Sequence, residues 1–433
     1  MFREGERFAS LGPGARTREP EVGISLLEVV IAMAIFSIGV TAVLGIFINS
    51  SRVAGDNIRR TAAASLVNEK LEAARGQTAQ QITNGREVTT RQVGDITYTI
   101  TQNASYLTSN ATGNVCQSSG SALAYKLVRV AVTWPDMGTV QPVTGDVLRA
   151  VGIGPTDGTK ATLAVLITGA TGLPVSGVTA TLTGTTQSQV TGDDGCVVFA
   201  GLTDGSYSVS LNQTGYVGTA NTTTARTQTL SVATGVVTRA TLLYDSARTL
   251  NFALSAPVST YVVPTGLPIR IGNTYLSETT VSATCSSSSA SACLTGVPGQ
   301  IRNLFPESYV VKAGSCTGTD VSQALVDIRR ASANNSSVTL PMGAVTVNVE
   351  RNNKKAANDR AVTFTLASGS SCGTSESYSV NTVSGTTTVL LPYGSWLVST
   401  SFNLLNLGVG TASQTVTLNS SSRVATVTLT VAQ

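Results

Sequence analysis

Glu28 is the residue that most needs a chemical partner. It stands inside an apolar run from Ile24 to Ile48 (ISLLEVVIAMAIFSIGVTAVLGIFI), whose other polar members are a few hydroxyl side chains. A carboxylate in hydrocarbon costs several kcal/mol on insertion unless it is paired or lies near the interface, so something must compensate it. Elsewhere, residues suited to chemistry are sparse. Histidine is absent, which removes the side chain most used for acid–base work near neutral pH and for binding metals. The six cysteines (Cys116, Cys196, Cys285, Cys293, Cys316 and Cys372) include no Cys-x-x-Cys pair, so zinc and redox motifs are unsupported. Their even number permits disulfides in an oxidising compartment, with several buried free thiols as the competing reading; spacing selects no pairing. Asp193, Asp194 and Asp204 are calcium-ligand types, but turn aspartates are far more often solvated. No nucleophile elbow, phosphate loop or paired-carboxylate constellation occurs. The expectation is therefore no enzyme, no metal and no cofactor.

The element that must carry Glu28 is a long helix. Residues 1–23 are polar, with Arg3, Arg7, Arg16 and Arg18 balanced by Glu4, Glu6, Glu19 and Glu21. The apolar run that follows, about 25 residues at 1.5 Å each, exceeds the ~30 Å hydrocarbon core and can span a bilayer. A secretory signal would have a shorter apolar region after a net-positive start and a small-residue cleavage site at its far end. Beyond the span, Ala63, Leu66, Val67, Leu71 and Ala74 recur at helical spacing, while Glu69, Lys70, Glu72 and Arg75 lie elsewhere. The spacing predicts a helix over 24–76, stopped at Gly76, with this stripe packed on the chain's own head.

The string Gly23-Ile24-Ser25-Leu26-Leu27-Glu28, continued by VVIAMAIFSIG, resembles the type IV prepilin signature. The resemblance implies a cytoplasmic-side cut by prepilin peptidase between Gly23 and Ile24, then N-methylation of Ile24. Residues 1–23 become a leader, and Glu28 becomes the fifth residue of the mature chain, used in filament assembly. Physical reasoning agrees: the new α-amine is largely cationic near neutral pH and can meet the Glu28 of a neighbouring subunit. Glu28 sits about 6 Å along the axis from its own Ile24, so that pairing requires an axial stagger between subunits. A plain signal-anchor helix with an incidental carboxylate is the competing reading. Ile24 stands where many mature pilins begin with Phe or Met, and Gly45 occupies the region where many major pilins carry a kinking proline. Both features point toward a minor pilin or pseudopilin.

Residues 77–155 read as a β head: DITYTIT (Asp95–Thr101), then YKLVRVAVTWP (Tyr125–Pro135), which sets Leu127, Arg129, Ala131 and Thr133 opposite Val128, Val130, Val132 and Trp134. A further apolar strand follows at Asp146–Val151. This arrangement resembles PilV-type minor pilins and the I-type minor pseudopilin of type II secretion. After Gly154–Gly158 the chain repeats itself. Leu202-Thr203-Asp204-Gly205-Ser206-Tyr207, Leu304-Phe305-Pro306-Glu307-Ser308-Tyr309 and Leu391-Pro392-Tyr393-Gly394-Ser395-Trp396 share Leu, Ser and an aromatic at equal spacing. Three modules are expected, 156–246, 247–341 and 342–433, with each aromatic opening a strand of a two-sheet core. Together with Gly172–Gly184 and Gly192–Leu202, the first resembles transthyretin-like, Cna-B or carboxypeptidase-regulatory-like sandwiches. Related modules can carry Lys–Asn isopeptide cross-links; the strand Thr162–Thr168 has no lysine, and none is assigned.

The fold expected is thus an α+β pilin module, with a long N-terminal transmembrane helix and an antiparallel sheet, followed by tandem all-β sandwiches. Charged residues form only 12% of the chain and the net charge is +4, so neither solvated disorder nor a nucleic-acid surface is indicated. The resemblance implies a minor pilin of a type IV pilus-like filament, first a single-pass membrane protein with extracytoplasmic C-terminal modules, then displayed on a filament tip or cell surface. Its expected partners are other pilin subunits, prepilin peptidase, the cytoplasmic membrane, and a surface ligand or secreted cargo. The alternatives are a type II secretion pseudopilin that engages cargo and a membrane-anchored adhesin.

Overall fold

The computed structural model describes residues 25–108, 115–117, 123–138, 140–151, 160–281, 284–285, 299–330, 336–367, 376–404 and 408–432. One long apolar N-terminal helix is followed by β-strands in multiple sheets. The chain divides into two compact units, one ending at Ser65 and one beginning at Leu66.

Helix α1 runs from Leu26 to Arg75, 50 residues without a proline. It ends where Gly76 N–H donates to the Glu72 carbonyl, and the predicted Leu66, Val67, Leu71 and Ala74 are all buried. Their counter-surface is an antiparallel meander of β1 (Gly85–Val93), β2 (Ile96–Thr108), β3 (Leu123–Thr133) and β4 (Val143–Ala150). The alternation in β3 falls as its sequence requires: Val128, Val130 and Val132 are fully buried, and Leu127 and Arg129 are not. Burying each such valine contributes about 1.5–3 kcal/mol. Close approach of helix to sheet depends on Gly145 in β4, where a Cβ would lie 2.7 Å from Leu71 Cδ1 and 2.8 Å from Val67 Cγ1.

The head sheet does not stop at β1. Gly85 pairs in parallel with Val190 of β7 (Ser188–Val190), which joins β6 (Thr179–Leu182) and the strands Val209–Asn212 and Thr224–Arg226 into one eight-stranded sheet. Gly85 adopts a φ of 89°, and a Cβ there would meet the Val190 carbonyl oxygen at 1.8 Å. Only glycine can make this junction.

Against that sheet lies another containing β5 (Ala161–Thr168), β8 (Cys196–Leu202) and the strand Val237–Ser246. A core of Leu163, Val165, Ile167, Phe199, Leu211 and Tyr244 fills the space between the layers. Two further sandwiches follow. The second centres on Phe252, Ile271, Tyr309 and Val311 and takes in Leu390 from later in the chain; the third centres on Phe364, Val398, Trp396 and Leu429 and takes in Cys316 from earlier. Neighbouring cores therefore exchange side chains across their junction.

Candidate functional site

Glu28 lies in the first turn of α1, where its charge favours the helix N-terminus. Glu28 and Val29 donate their N–H groups to the Ser25 carbonyl at 3.0 and 3.2 Å. Gly23 and Ile24, the expected cleavage and methylation positions, lie outside the described residues. Around Glu28 and up the helix, large apolar side chains face outward: Leu26 is 82% exposed, Phe36 72% and Ile46 71%. The few hydroxyls are satisfied inside the helix, Ser37 Oγ donating to the Met33 carbonyl and Thr41 Oγ1 to that of Ser37, each at 2.8 Å. Among the described residues α1 is the one helix long and apolar enough to cross a membrane, and Leu26 to Ile48 measures about 34 Å at 1.5 Å per residue.

The three repeated aromatics share one polar contact. Tyr207 Oη donates to the Thr203 carbonyl (3.2 Å), Tyr309 Oη to that of Phe305 (2.9 Å), and Trp396 Nε1 to that of Pro392 (2.9 Å), each four residues upstream. Large rings with a polar tip suit this use, filling the core while closing a chain corner. Burial pushes the Tyr309 hydroxyl up to about 12. The recurrence of an aromatic at this position thus has a structural cause in all three modules.

The aspartates hold turns and contacts. Asp193 accepts from Asn103 Nδ2 (2.6 Å) and Ser176 Oγ (3.0 Å), and so ties the head to the first sandwich. Asp194 Oδ1 accepts from the Cys196 N–H at 3.0 Å, and Asp204 from Thr234 Oγ1. Among the described residues no three His, Cys, Asp or Glu side chains form a metal-holding group.

Two features went unread in the sequence. Cys116 and Cys196, 80 residues apart, form a disulfide that crosses from the head to β8, with Tyr106, Val115, Ala164 and Val198 packed around it. Arg239 Nε adds a bond to the Val115 carbonyl at 2.8 Å. Cys316 is disulfide-bonded too. The second feature is Lys126, only 1% exposed, whose Nζ donates to the carbonyls of Ala79 (3.1 Å) and Ile82 (2.5 Å) and sits 4.4 Å from the centre of the Tyr106 ring. It satisfies backbone just past the end of α1, and burial lowers its pKa to about 8. The signal was its parity: Lys126 shares the inward face of Val128 and Val130.

No family model matches the chain, and no curated protein matches it. Among solved structures, the Bacillus anthracis TIE protein aligns at 14% identity over 81% of this chain and 73% of its own, with a TM-score of 0.20. A major pilin subunit of Bacillus cereus aligns at 12% identity over 62% and 98%, TM-score 0.17. The minor pilin GBS52 of Streptococcus agalactiae aligns at 11% over 42% and 95%, TM-score 0.21. Scores this low do not describe a common overall arrangement, and the functional reading rests on the chain's own residues.

Proposed function

We propose that this chain is a pilin-like subunit, inserted in a membrane through α1 and carrying its β modules outside the cytoplasm as a minor component of a type IV pilus-like filament. The observation that carries the reading is the outward-facing apolar stretch of α1 with Glu28 at its N-terminal turn. Such a surface is unstable in water and needs lipid or neighbouring helices. Within either, the carboxylate needs a cation. The prepilin-like residues around Gly23 and Ile24 supply one: peptidase cleavage frees the Ile24 amine, methylation keeps it cationic, and an adjoining subunit's Glu28 pairs with it. Breaking such a buried pair from one side costs about 3–5 kcal/mol, enough to exclude a subunit from a polymer. The Cys116–Cys196 disulfide supports an oxidising location for the modules. The role we assign to so large a display on one helix is adhesion or assembly priming, and no catalytic activity is assigned.

The test is made in the producing cell. The mature protein should begin at Ile24 by mass and N-terminal sequencing, and Gly23→Ala should leave the precursor intact. Glu28→Gln should be processed normally yet vanish from sheared filaments. A native protein that keeps residues 1–23, or a Glu28→Gln variant that enters filaments at wild-type levels, would overturn the assignment in favour of a simple anchored protein.

A further inference from the structure

Between Glu28 and Glu69 helix α1 carries only four charged residues: Arg52, Asp56, Arg59 and Arg60. They begin about 6 Å past Ile48, where the apolar run ends, and the function proposed above does not use them. At about 100° per residue all four fall within roughly 100° of the helix circumference, so they form one charged face. Arg52 and Arg60 are exposed, and the Asp56 side chain is 49% exposed. Within the helix Asp56 Oδ1 lies 3.6 Å from Arg59 Nη1, too far for a hydrogen bond, which leaves the carboxylate able to accept one from outside.

Arg52, Asp56 and Arg60 alternate in sign at intervals of four residues, about 6 Å of rise. That pattern discriminates between the ways in which two parallel copies of α1 can lie side by side. With no axial offset every charge stands abreast of its own kind, which is repulsive at all four positions. An offset of three residues brings one opposite pair abreast, Arg59 with the copy's Asp56. An offset of four brings two, Asp56 with the copy's Arg52 and Arg60 with the copy's Asp56. Arg59 then comes abreast of Gly55, which leaves room for its side chain. Offsets of seven and eight set Arg59 or Arg60 against Arg52. Four residues is therefore the register with the most attraction and no repulsion.

The same offset separates Glu28 from Ile24 in the sequence. Pairing of the Glu28 carboxylate with a neighbour's Ile24 amine thus brings the two charged faces into their complementary register. The bearings agree as well. Glu28 and Arg60 are 32 residues apart and lie within about 40° of one another around the axis, so one parallel neighbour can engage both ends of the stretch.

From this pattern we infer that the charged face at the outer end of the apolar stretch docks a second copy of this chain, lying parallel and displaced by four residues. The Asp56–Arg52 and Arg60–Asp56 pairs fix that register about 42 Å further along the axis than the Glu28 pair. The inference rests on the filament reading for the parallel orientation of the copies, and it adds the register that they take.

Cysteine cross-linking in membranes of the producing cell provides the test. Ala42 lies about five turns below Arg60, and Ile46 about five turns above Glu28, so both share this side of the helix. Differently tagged copies carrying Ala42→Cys and Ile46→Cys would be co-expressed and briefly oxidised, with the parent chain as background. A disulfide demands Cβ atoms about 4 Å apart, so it reads the register. The staggered combination of Ala42→Cys with Ile46→Cys should exceed either copy cross-linked to its own kind by about threefold or more, a bias within reach of two exposed ion pairs. Asp56→Arg should abolish the preference. Combining Arg52→Asp, Asp56→Arg, Arg59→Asp and Arg60→Asp inverts all four signs and should restore it. Equal yields for staggered and like combinations, a preference that survives Asp56→Arg, or a sign-inverted chain that fails to regain it would overturn the inference. Cleavage after Gly23, read by mass in the same samples, keeps the two readings apart. Cut protein without the staggered preference removes the inference and leaves the filament assignment; uncut protein that keeps the preference does the reverse.

Discussion

The apolar stretch of α1 and the β unit are built from the same residue types and meet opposite fates. Phe36 is 72% exposed and Phe364 fully buried; Ile46 is 71% exposed and Ile167 fully buried. In the β unit, alternation directs each apolar side chain into a core that its own sheets close. In α1 the run is apolar on all sides, so no rotation of the helix could hide it. Composition therefore does not decide burial; the period of the pattern, and whether the chain supplies a partner surface, does. Where the chain supplies none, the surroundings must.

The contrast breaks or holds first on paired truncations. Phe364→Ala should lower the unfolding free energy of the β unit by about 3–5 kcal/mol, whereas Phe36→Ala should leave its denaturation midpoint in detergent unchanged. An equal loss from Phe36→Ala would mean that this apolar stretch contributes to the stability of the β unit. A smaller effect is expected at the seam between head and first module. Cys196→Ser should cost about 2–4 kcal/mol by freeing a long loop in the unfolded chain. Hydrogen exchange should show the loss of protection concentrated around β1, β7 and β8, with the third module unaffected. If protection falls evenly across all modules, the seam is not a separate joint.

The smallest effect is a pH slope. Lys126 is lowered to about 8 from an ordinary 10.5 by burial, so between those values the unfolded chain holds a proton that the folded chain has released. Stability should rise with pH from about 8 toward 10, short of the range where the buried Tyr309, pushed up to about 12, works in the opposite direction. Below pH 8 both states are protonated and the slope vanishes. Lys126→Met should remove the rise, as read by denaturant titrations across that range; a slope that survives the substitution belongs to another group.

Much of this architecture was legible one residue at a time. The stripe Leu66, Val67, Leu71 and Ala74 announced both a helix and its buried face, and the parity of Val128, Val130 and Val132 announced which side of β3 would meet it. Of the site residues, Glu28 was legible because a charge in an apolar run contradicts its surroundings. The recurrence of an aromatic at Tyr207, Tyr309 and Trp396 was visible as well, although its cause, a bond to the carbonyl four residues back, was not. Lys126 was overlooked because a lysine between Tyr125 and Leu127 reads as a solvated side chain until the carbonyls of Ala79 and Ile82 are in place.

By itself, then, the sequence determined what depends on neighbours along the chain: the helix, its apolar length, the lone carboxylate, the strand faces and the repeated corners. Tertiary structure alone decided what depends on closing long loops. It chose Cys196 for Cys116, passed one sheet from head to first module through Gly85 and Val190, and laid the last strand of every module parallel to its first. Local periodicity fixes which way a side chain points but carries no information about which distant strand arrives beside it. That choice belongs to the packed cores, which exist only once the chain has folded.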